Sequence, residues 1–437
     1  MLHRKLTYIT AALAMLAGLS SARADDLFDY LKKPDDSFAW KLKAKNETPA
    51  GTIYDLELTS QTWQGIKWEH QLQVYVPTGV KPTETILLYN QGGKASVQST
   101  LLAMEMAKKA NAPVAFLYGI PNQPLLGGKS EDALIAETFV RYLESKDDSW
   151  PLLFPMVKSL VKAMDALQAF AMNEWRFMVR FFVVSGGSKR GWTTWLTGAS
   201  DPRVKAIAPL VIDTLNFREQ LPHQLKSYGA YSEMIADYTK RNLVPVPDTP
   251  RAQQLWKMID PWAYRDKLTM PTMIINGAND PYWTVDALNL YWNDLKSPRW
   301  VEYIPNAGHN LLEKKEGGKL DPTRIGATLG AFARAQIHGH AMPKLDWKHD
   351  DAGGQARLTI KCDPMPKAAR LWVADAEKRD FRKSTWVEKE AKINKTDVVG
   401  SIEMPQSGHR VYYAELEYQI DGLPCYLSTQ VRVLDKK

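Results

Sequence analysis

Cysteine is nearly absent, with Cys362 and Cys425 the two in 437 residues, and this excludes the disulfide-dense scaffold of a small secreted domain. Long apolar runs are missing too: the stretch Leu6 to Leu19 falls short of the about 20 apolar residues that a membrane-spanning helix needs. No run of five or six basic residues occurs, and Lys and Arg are interspersed with Asp and Glu. The charge pattern of a nucleic-acid-binding surface is therefore lacking. Neither an internal repeat nor a low-complexity segment is found, which excludes solenoids and disordered arrays. His338-x-His340 has no third ligand or glutamate at metal-site spacing, so no metal and no cofactor is expected.

What is present is the composition of a soluble globular protein, 45% hydrophobic and 24% charged, on a chain long enough for two or three domains. The start departs from that average. His3, Arg4 and Lys5 precede the apolar run, and Ala22-Arg23-Ala24 follows it as a small-x-small cleavage pattern. Residues 1–24 are thus expected to be a secretory signal peptide, and the mature chain to be periplasmic or secreted without a stable membrane span. Loss of Arg4, Lys5 and Arg23 takes the net charge from +7 to +4. In an oxidising compartment Cys362 and Cys425 are expected to form a disulfide, closing a loop that stabilises its region by roughly 4 kcal/mol.

From Gly51 to Val76 the residues alternate in strand fashion, as in Leu72, Val74 and Val76, and predict antiparallel opening strands. Short apolar runs then recur at 85–89, 112–117, 180–184, 207–212, 272–275 and 300–304, each of buried-strand length. Helices are expected between them at 97–109, 152–175, 189–199 and 285–295. Strands apolar on both faces and alternating with helices imply a mostly parallel sheet covered on both sides, an α/β fold. The rhythm breaks at about 214–270, a stretch rich in aromatics such as Tyr228, Tyr231, Trp256, Trp262 and Tyr264. It is read as an inserted cap whose aromatics mainly form its own core. Beyond about residue 341 the pattern is strand again, at 356–361, 369–374 and 411–418. The expected organisation is a catalytic α/β domain over 25–340 and an all-β, sandwich-like domain over 341–437.

The most informative stretch is Phe181-Phe-Val-Val-Ser-Gly-Gly-Ser188-Lys-Arg-Gly-Trp-Thr-Thr-Trp195, a buried strand, a glycine-flanked serine and then a helix. A sharp strand-to-helix turn lifts the Ser188 hydroxyl above the sheet, and glycines at 186, 187 and 191 make room for it. The Lys189 N–H then sits at a helix amino terminus, suited to an oxyanion. The match to G-x-S-x-G is partial, because Arg190 stands where the second glycine belongs and Gly191 follows it.

Two further loops follow predicted strands: Asn276-Gly-Ala-Asn-Asp280-Pro-Tyr-Trp283 and Asn306-Ala-Gly-His309. The order serine, acid, histidine is that of the α/β-hydrolase fold, with Ser188 as nucleophile, His309 as general base and Asp280 as the acid that orients it. Asp213, at the end of an earlier strand, competes with Asp280, which is preferred. Tyr89-Asn90-Gln91-Gly92-Gly93 sits where the second oxyanion donor belongs, and the N–H of Gln91 or Gly92 is nominated. Trp192 and Trp283 would suit an apolar or aromatic acyl group.

The segments Gly-Gly-Ser188-Lys-Arg-Gly-Trp-Thr-Thr-Trp195, Ile212-Asp-Thr-Leu-Asn216 and Asn276 to Trp283 resemble the PhoPQ-activated pathogenicity-related proteins. The resemblance makes Gly191, in place of residue 190, a family trait. It implies an exported α/β-hydrolase acting on a small-molecule or peptide substrate through a peptide or ester bond. It also implies a link to bacterial virulence and antimicrobial-peptide resistance, under which the alternative is a non-catalytic binding or signalling protein on the same scaffold.

Overall fold

Alternating apolar residues build the first edge of the sheet. Strands β1 (Ala39–Thr48), β2 (Gly51–Trp63) and β3 (Ile66–Pro77) form an antiparallel meander, with Leu56, Leu58, Leu72 and Val74 buried on its inner face. The computed structural model describes residues 26–436, so the expected leader at residues 1–24 lies outside the described residues. β1 has no counterpart in the sequence reading, because its lysines leave it half-exposed along its length.

The continuous apolar runs become the parallel centre. They are β4 (Thr85–Asn90), β5 (Val114–Leu117), β6 (Phe181–Gly187), β7 (Val204–Leu210), β8 (Thr272–Gly277) and β9 (Arg299–Ile304). Their spatial order is β3-β5-β4-β6-β7-β8-β9, parallel from β5 onward. Nearly every side chain in them is buried, as a sheet covered on both faces requires.

One covering layer contains α3 (Glu131–Glu144), α4 (Leu153–Trp175) and α5 (Lys189–Ser200), which share a core with the meander. The other contains α2 (Val97–Ala110) and α9 (Thr323–His338). The short amino-terminal helix α1 (Leu27–Lys32) is capped by Asp26, whose carboxylate accepts from the Phe28 and Asp29 N–H groups. In α2 the pair Ser96 and Ser99 forms a capping box, and Asn111 ends the helix in the left-handed conformation. His338 belongs to the last turn of α9 and its Nε2 meets the Ala110 carbonyl at 3.0 Å.

The inserted segment between β7 and β8 carries α6 (Phe217–Tyr228), α7 (Ala236–Thr239) and α8 (Pro250–Ile259), followed by a 3₁₀ turn over Pro261–Lys267. Thr249 caps α8 ahead of Pro250 at its first position, and buried Asp260 accepts from the Asn216, Phe217 and Trp262 N–H groups, tying the two ends of the cap together. The helix expected at 285–295 is instead two short 3₁₀ turns, Ala287–Leu290 and Trp292–Asp294. Tertiary contacts override the period there: Tyr291 donates to Asp213, Asn289 to the Val431 carbonyl, and Trp292 packs on Trp347.

From Lys344 the chain forms two antiparallel layers. One contains Lys344–Ala352, Gln355–Asp363 and Asp397–Glu403; the other contains Ala368–Ala376, His409–Ile420 and Leu423–Ser428. The layers face each other closely enough that a Cβ on Gly400 would stand 2.7 Å from Leu371. The second layer joins β9 through Ser428 and Val301, giving one 14-stranded sheet. The expected disulfide is corrected here: Cys362 and Cys425 are free thiols. Cys362 lies on one layer and Cys425 on the other, where Tyr418 is its cross-strand partner.

Candidate active site

All the candidate residues lie beyond the carboxyl ends of the parallel strands, the rim where open α/β sheets carry their sites. Ser188 follows β6, Asp213 follows β7, Asp280 follows β8 and His309 follows β9. Ser188 itself is forced into φ 58° and ψ −125°, a conformation that costs a non-glycine residue on the order of 1–3 kcal/mol and aims its side chain out of the strand-helix turn. The turn is tight because α5 crosses close to the sheet. A Cβ on Gly191 would lie 2.6 Å from Ile212 Cγ2 and 2.9 Å from the Leu210 carbonyl oxygen. The elbow is braced from below by Asn90, whose amide donates to the carbonyls of Ser185 and Arg190 and to Thr194 Oγ1.

His309 Nε2 lies 2.9 Å from Ser188 Oγ, and its Nδ1 lies 2.7 Å from Asp280 Oδ2. The second oxygen of Asp280 accepts from the Tyr282 N–H at 2.9 Å, and the Tyr282 ring stacks on the imidazole at 4.3 Å. Asp213 stands apart from this relay. It accepts from the Tyr291 hydroxyl and from Asn276 Nδ2 at 3.1 Å, and burial, reinforced by Asp280 and Asp286, pushes its pKa up to about 7.

The two loops carrying acid and base are held by the carboxyl-terminal region. Asn279 Nδ2 donates to the Phe381 and Ser384 carbonyls, and Asn306 exchanges two hydrogen bonds with the Trp386 backbone, at 3.0 and 2.8 Å. The added β layers thus fix the acid and histidine loops as well as extending the sheet.

Of the nominated oxyanion donors, the Lys189 N–H is the first of α5 and has no intrahelical acceptor. The Gln91 N–H is committed to the Leu117 carbonyl at 2.8 Å, which corrects its nomination and leaves Gly92. Gly92 also has a steric role: a Cβ there would lie 1.7 Å from Arg190 Nη2. That guanidinium makes a bidentate pair with Glu131, at 2.7 and 2.6 Å, and donates to the Ile120 carbonyl. Burial alone would raise the Glu131 pKa, but the Arg190 pair overrides it and holds the carboxyl at about 2. Next to it, Lys189 Nζ lies 2.8 Å from Asp132, which also accepts from Tyr238 and Tyr282.

Glu131 and Asp132 escaped the sequence reading. The signal was Ser130-Glu131-Asp132 ahead of a helical period through Leu134, Ile135, Phe139 and Tyr142.

Ser188 and His309 open onto a narrow cavity walled by Trp192, Phe217, Trp256 and Trp283. Trp192 is fixed by donation to the Ile259 carbonyl at 2.6 Å. Of the aromatics noted in the cap, Trp256 reaches this cavity. Tyr228 and Tyr264 instead donate to the backbone at Trp283 and Met258.

The chain matches the family described as PhoPQ-activated pathogenicity-related protein over residues 27–382. It is 31% identical to autocrine proliferation repressor protein A of Dictyostelium discoideum, over 93% of this chain and 88% of that protein. Among solved structures it is similar to acetyl xylan esterase 1 from Thermoanaerobacterium sp. JW/SL YS485, with a TM-score of 0.47 at 17% identity over 67% of this chain and 87% of that one. It is also similar to the acetyl xylan esterase from Paenibacillus sp. R4, with a TM-score of 0.45 at 14% identity over 64% and 85%. On the extent of the family match and of the full-length relative, the chain belongs to the PhoPQ-activated pathogenicity-related protein family.

Proposed function

We propose that this protein is an exported serine hydrolase that cleaves an ester or peptide bond through an acyl-enzyme on Ser188. The observation that carries the reading is the hydrogen-bonded line from Ser188 Oγ through His309 to Asp280, at 2.9 and 2.7 Å, at the mouth of an apolar cavity. In this reading His309 Nε2 takes the hydroxyl proton as the oxygen attacks the acyl carbon, then returns it to the leaving group. Asp280 holds Nδ1 protonated and stabilises the imidazolium. The Lys189 N–H and the Gly92 N–H receive the oxyanion.

An apolar or aromatic acyl group is supported by the cavity walls, where Trp192, Phe217, Trp256 and Trp283 offer little polarity. The test is hydrolysis of a series of aryl esters and acyl-peptide amides by the purified chain and by Ser188→Ala. Turnover that favours apolar over polar acyl groups and falls at least a thousandfold in the variant is the expected result. Equal turnover by both proteins would overturn the assignment.

A further inference from the structure

His309 borders a second depression besides the acyl cavity, and it is the residue that the two have in common. This one is open to solvent and runs from Pro281 and His309 to Leu312, Lys314 and Leu320. It forms where the histidine loop passes into a small hairpin, whose strands Glu313–Lys314 and Leu320–Asp321 pair Lys314 with Leu320. The Lys314 N–H donates to the Asn306 carbonyl at 3.0 Å and the Leu312 N–H to Asn310 Oδ1 at 3.1 Å, so the hairpin is held to the loop that carries His309.

The hairpin turns its acid inward and its leucine outward: Glu313 is 3% exposed and Leu320 is 50% exposed. Glu313 meets Arg324 at 2.8 Å and Lys315 at 2.6 Å, and Asp321 accepts from the Thr323 N–H at 2.9 Å. Lys314 and Leu320, as cross-strand neighbours, share the other face. Lys314 is exposed, and among the described residues no carboxylate lies at ion-pair distance from it. One exposed leucine is ordinary. Here it stands with Leu312 and an unpaired ammonium beside a histidine whose side chain is 26% exposed.

The neighbouring histidine decides the occupant. In the acyl-enzyme reading, attack by Ser188 breaks the bond between the acyl carbon and the leaving oxygen or nitrogen. The proton taken from Ser188 passes from His309 Nε2 to that departing atom. The departing atom must therefore lie within hydrogen-bond reach of the imidazole, while the cavity at Ser188 and Trp192 keeps the acyl group. On that reading, on which this one rests, we propose that the open depression receives the leaving group. It selects a leaving group with an apolar body, set against Leu312 and Leu320, and a carboxylate directed at Lys314.

The test joins one apolar acyl group to three phenols that carry, at the meta position, a carboxylate, a carboxamide or an aminomethyl group. The ratio kcat/KM covers acylation and so depends on the leaving group, whereas all three esters give the same acyl-enzyme. With the full chain the carboxylate ester should exceed the carboxamide about threefold, the size of a solvent-exposed ion pair, and the aminomethyl ester should fall below both. Salt at about 1 M should erase this order. Lys314→Glu should invert it, a change within one protein that general damage to the fold does not produce. Leu320→Ser should lower kcat/KM severalfold for all three esters. A fluorophosphonate, whose leaving group is fluoride alone, reports on Ser188 without filling the depression. A parent chain left unlabelled at Ser188 would overturn the acyl-enzyme reading and the leaving-group site together. A labelled chain with no preference among the esters, or with a preference that survives Lys314→Glu, would overturn the leaving-group site alone. Unchanged kcat/KM in Leu320→Ser would overturn its apolar part.

Discussion

Asp213→Asn separates the buried acid behind the site from the acid in it. Burial raises the Asp213 pKa from 3.8 to about 7. Below pH 3.8 both the folded and the unfolded chain hold the proton, and the group has no charge-related effect on stability. As pH rises toward 7 the unfolded chain ionises while the folded chain keeps its proton, so the folded state loses ground. The full difference is about 4 kcal/mol, of which about 2.5 kcal/mol develops between pH 5 and pH 8. Asparagine cannot ionise, and its amide retains the acceptor for Tyr291. Asn276, whose Oδ1 has no partner, can turn its amide to receive the new N–H. The gap in stability between Asp213→Asn and the parent should therefore widen in favour of the variant as pH rises from 5 to 8, read as urea midpoints at each pH. Turnover should change by less than about tenfold, whereas Asp280→Asn should lose about 10⁴ in kcat. A gap that does not grow with pH, or an Asp213→Asn variant as inactive as Asp280→Asn, would refute the reasoning.

Three other outcomes follow from particular contacts. A reducing agent should leave the melting temperature of the protein unchanged, because Cys362 and Cys425 are free thiols; a fall of several degrees would reveal a bond. Gly92→Ala should displace the Arg190 guanidinium from Glu131, since a Cβ would lie 1.7 Å from Nη2, and cut kcat at least tenfold with a smaller change in KM. Asn306→Ala removes both hydrogen bonds between the histidine loop and Trp386. It should lower kcat and destabilise the chain by about 1–3 kcal/mol, measured by steady-state kinetics and denaturant unfolding.

The parallel centre of the sheet was legible because runs such as 112–117 and 207–212 are apolar throughout, and 85–89 and 300–304 nearly so, as a strand covered on both faces demands. The rim residues were legible for a related reason: Ser188, Asp280 and His309 each follow such a run in an order few other folds share. What escaped was decided by distant parts of the chain. The segment 285–295 has helical spacing, yet Tyr291 and Asn289 are drawn to Asp213 and Val431. The Gln91 N–H is committed to a strand that lies 26 residues later in the chain, at Leu117. The free thiols could not be foreseen from compartment alone, because whether two cysteines on facing layers meet depends on how those layers pack. The clamp of Phe381 to Trp386 on the acid and histidine loops is likewise a product of folding, with no local pattern to announce it.

The central claim is that Ser188 is a nucleophile activated by His309. Treatment of the purified chain with a fluorophosphonate, followed by peptide mass analysis, tests it most directly. The account predicts one adduct per chain, on Ser188, formed quickly in the parent and at least a thousandfold more slowly in His309→Ala. A parent that stays unlabelled, or an adduct that forms as fast without the histidine, would contradict it.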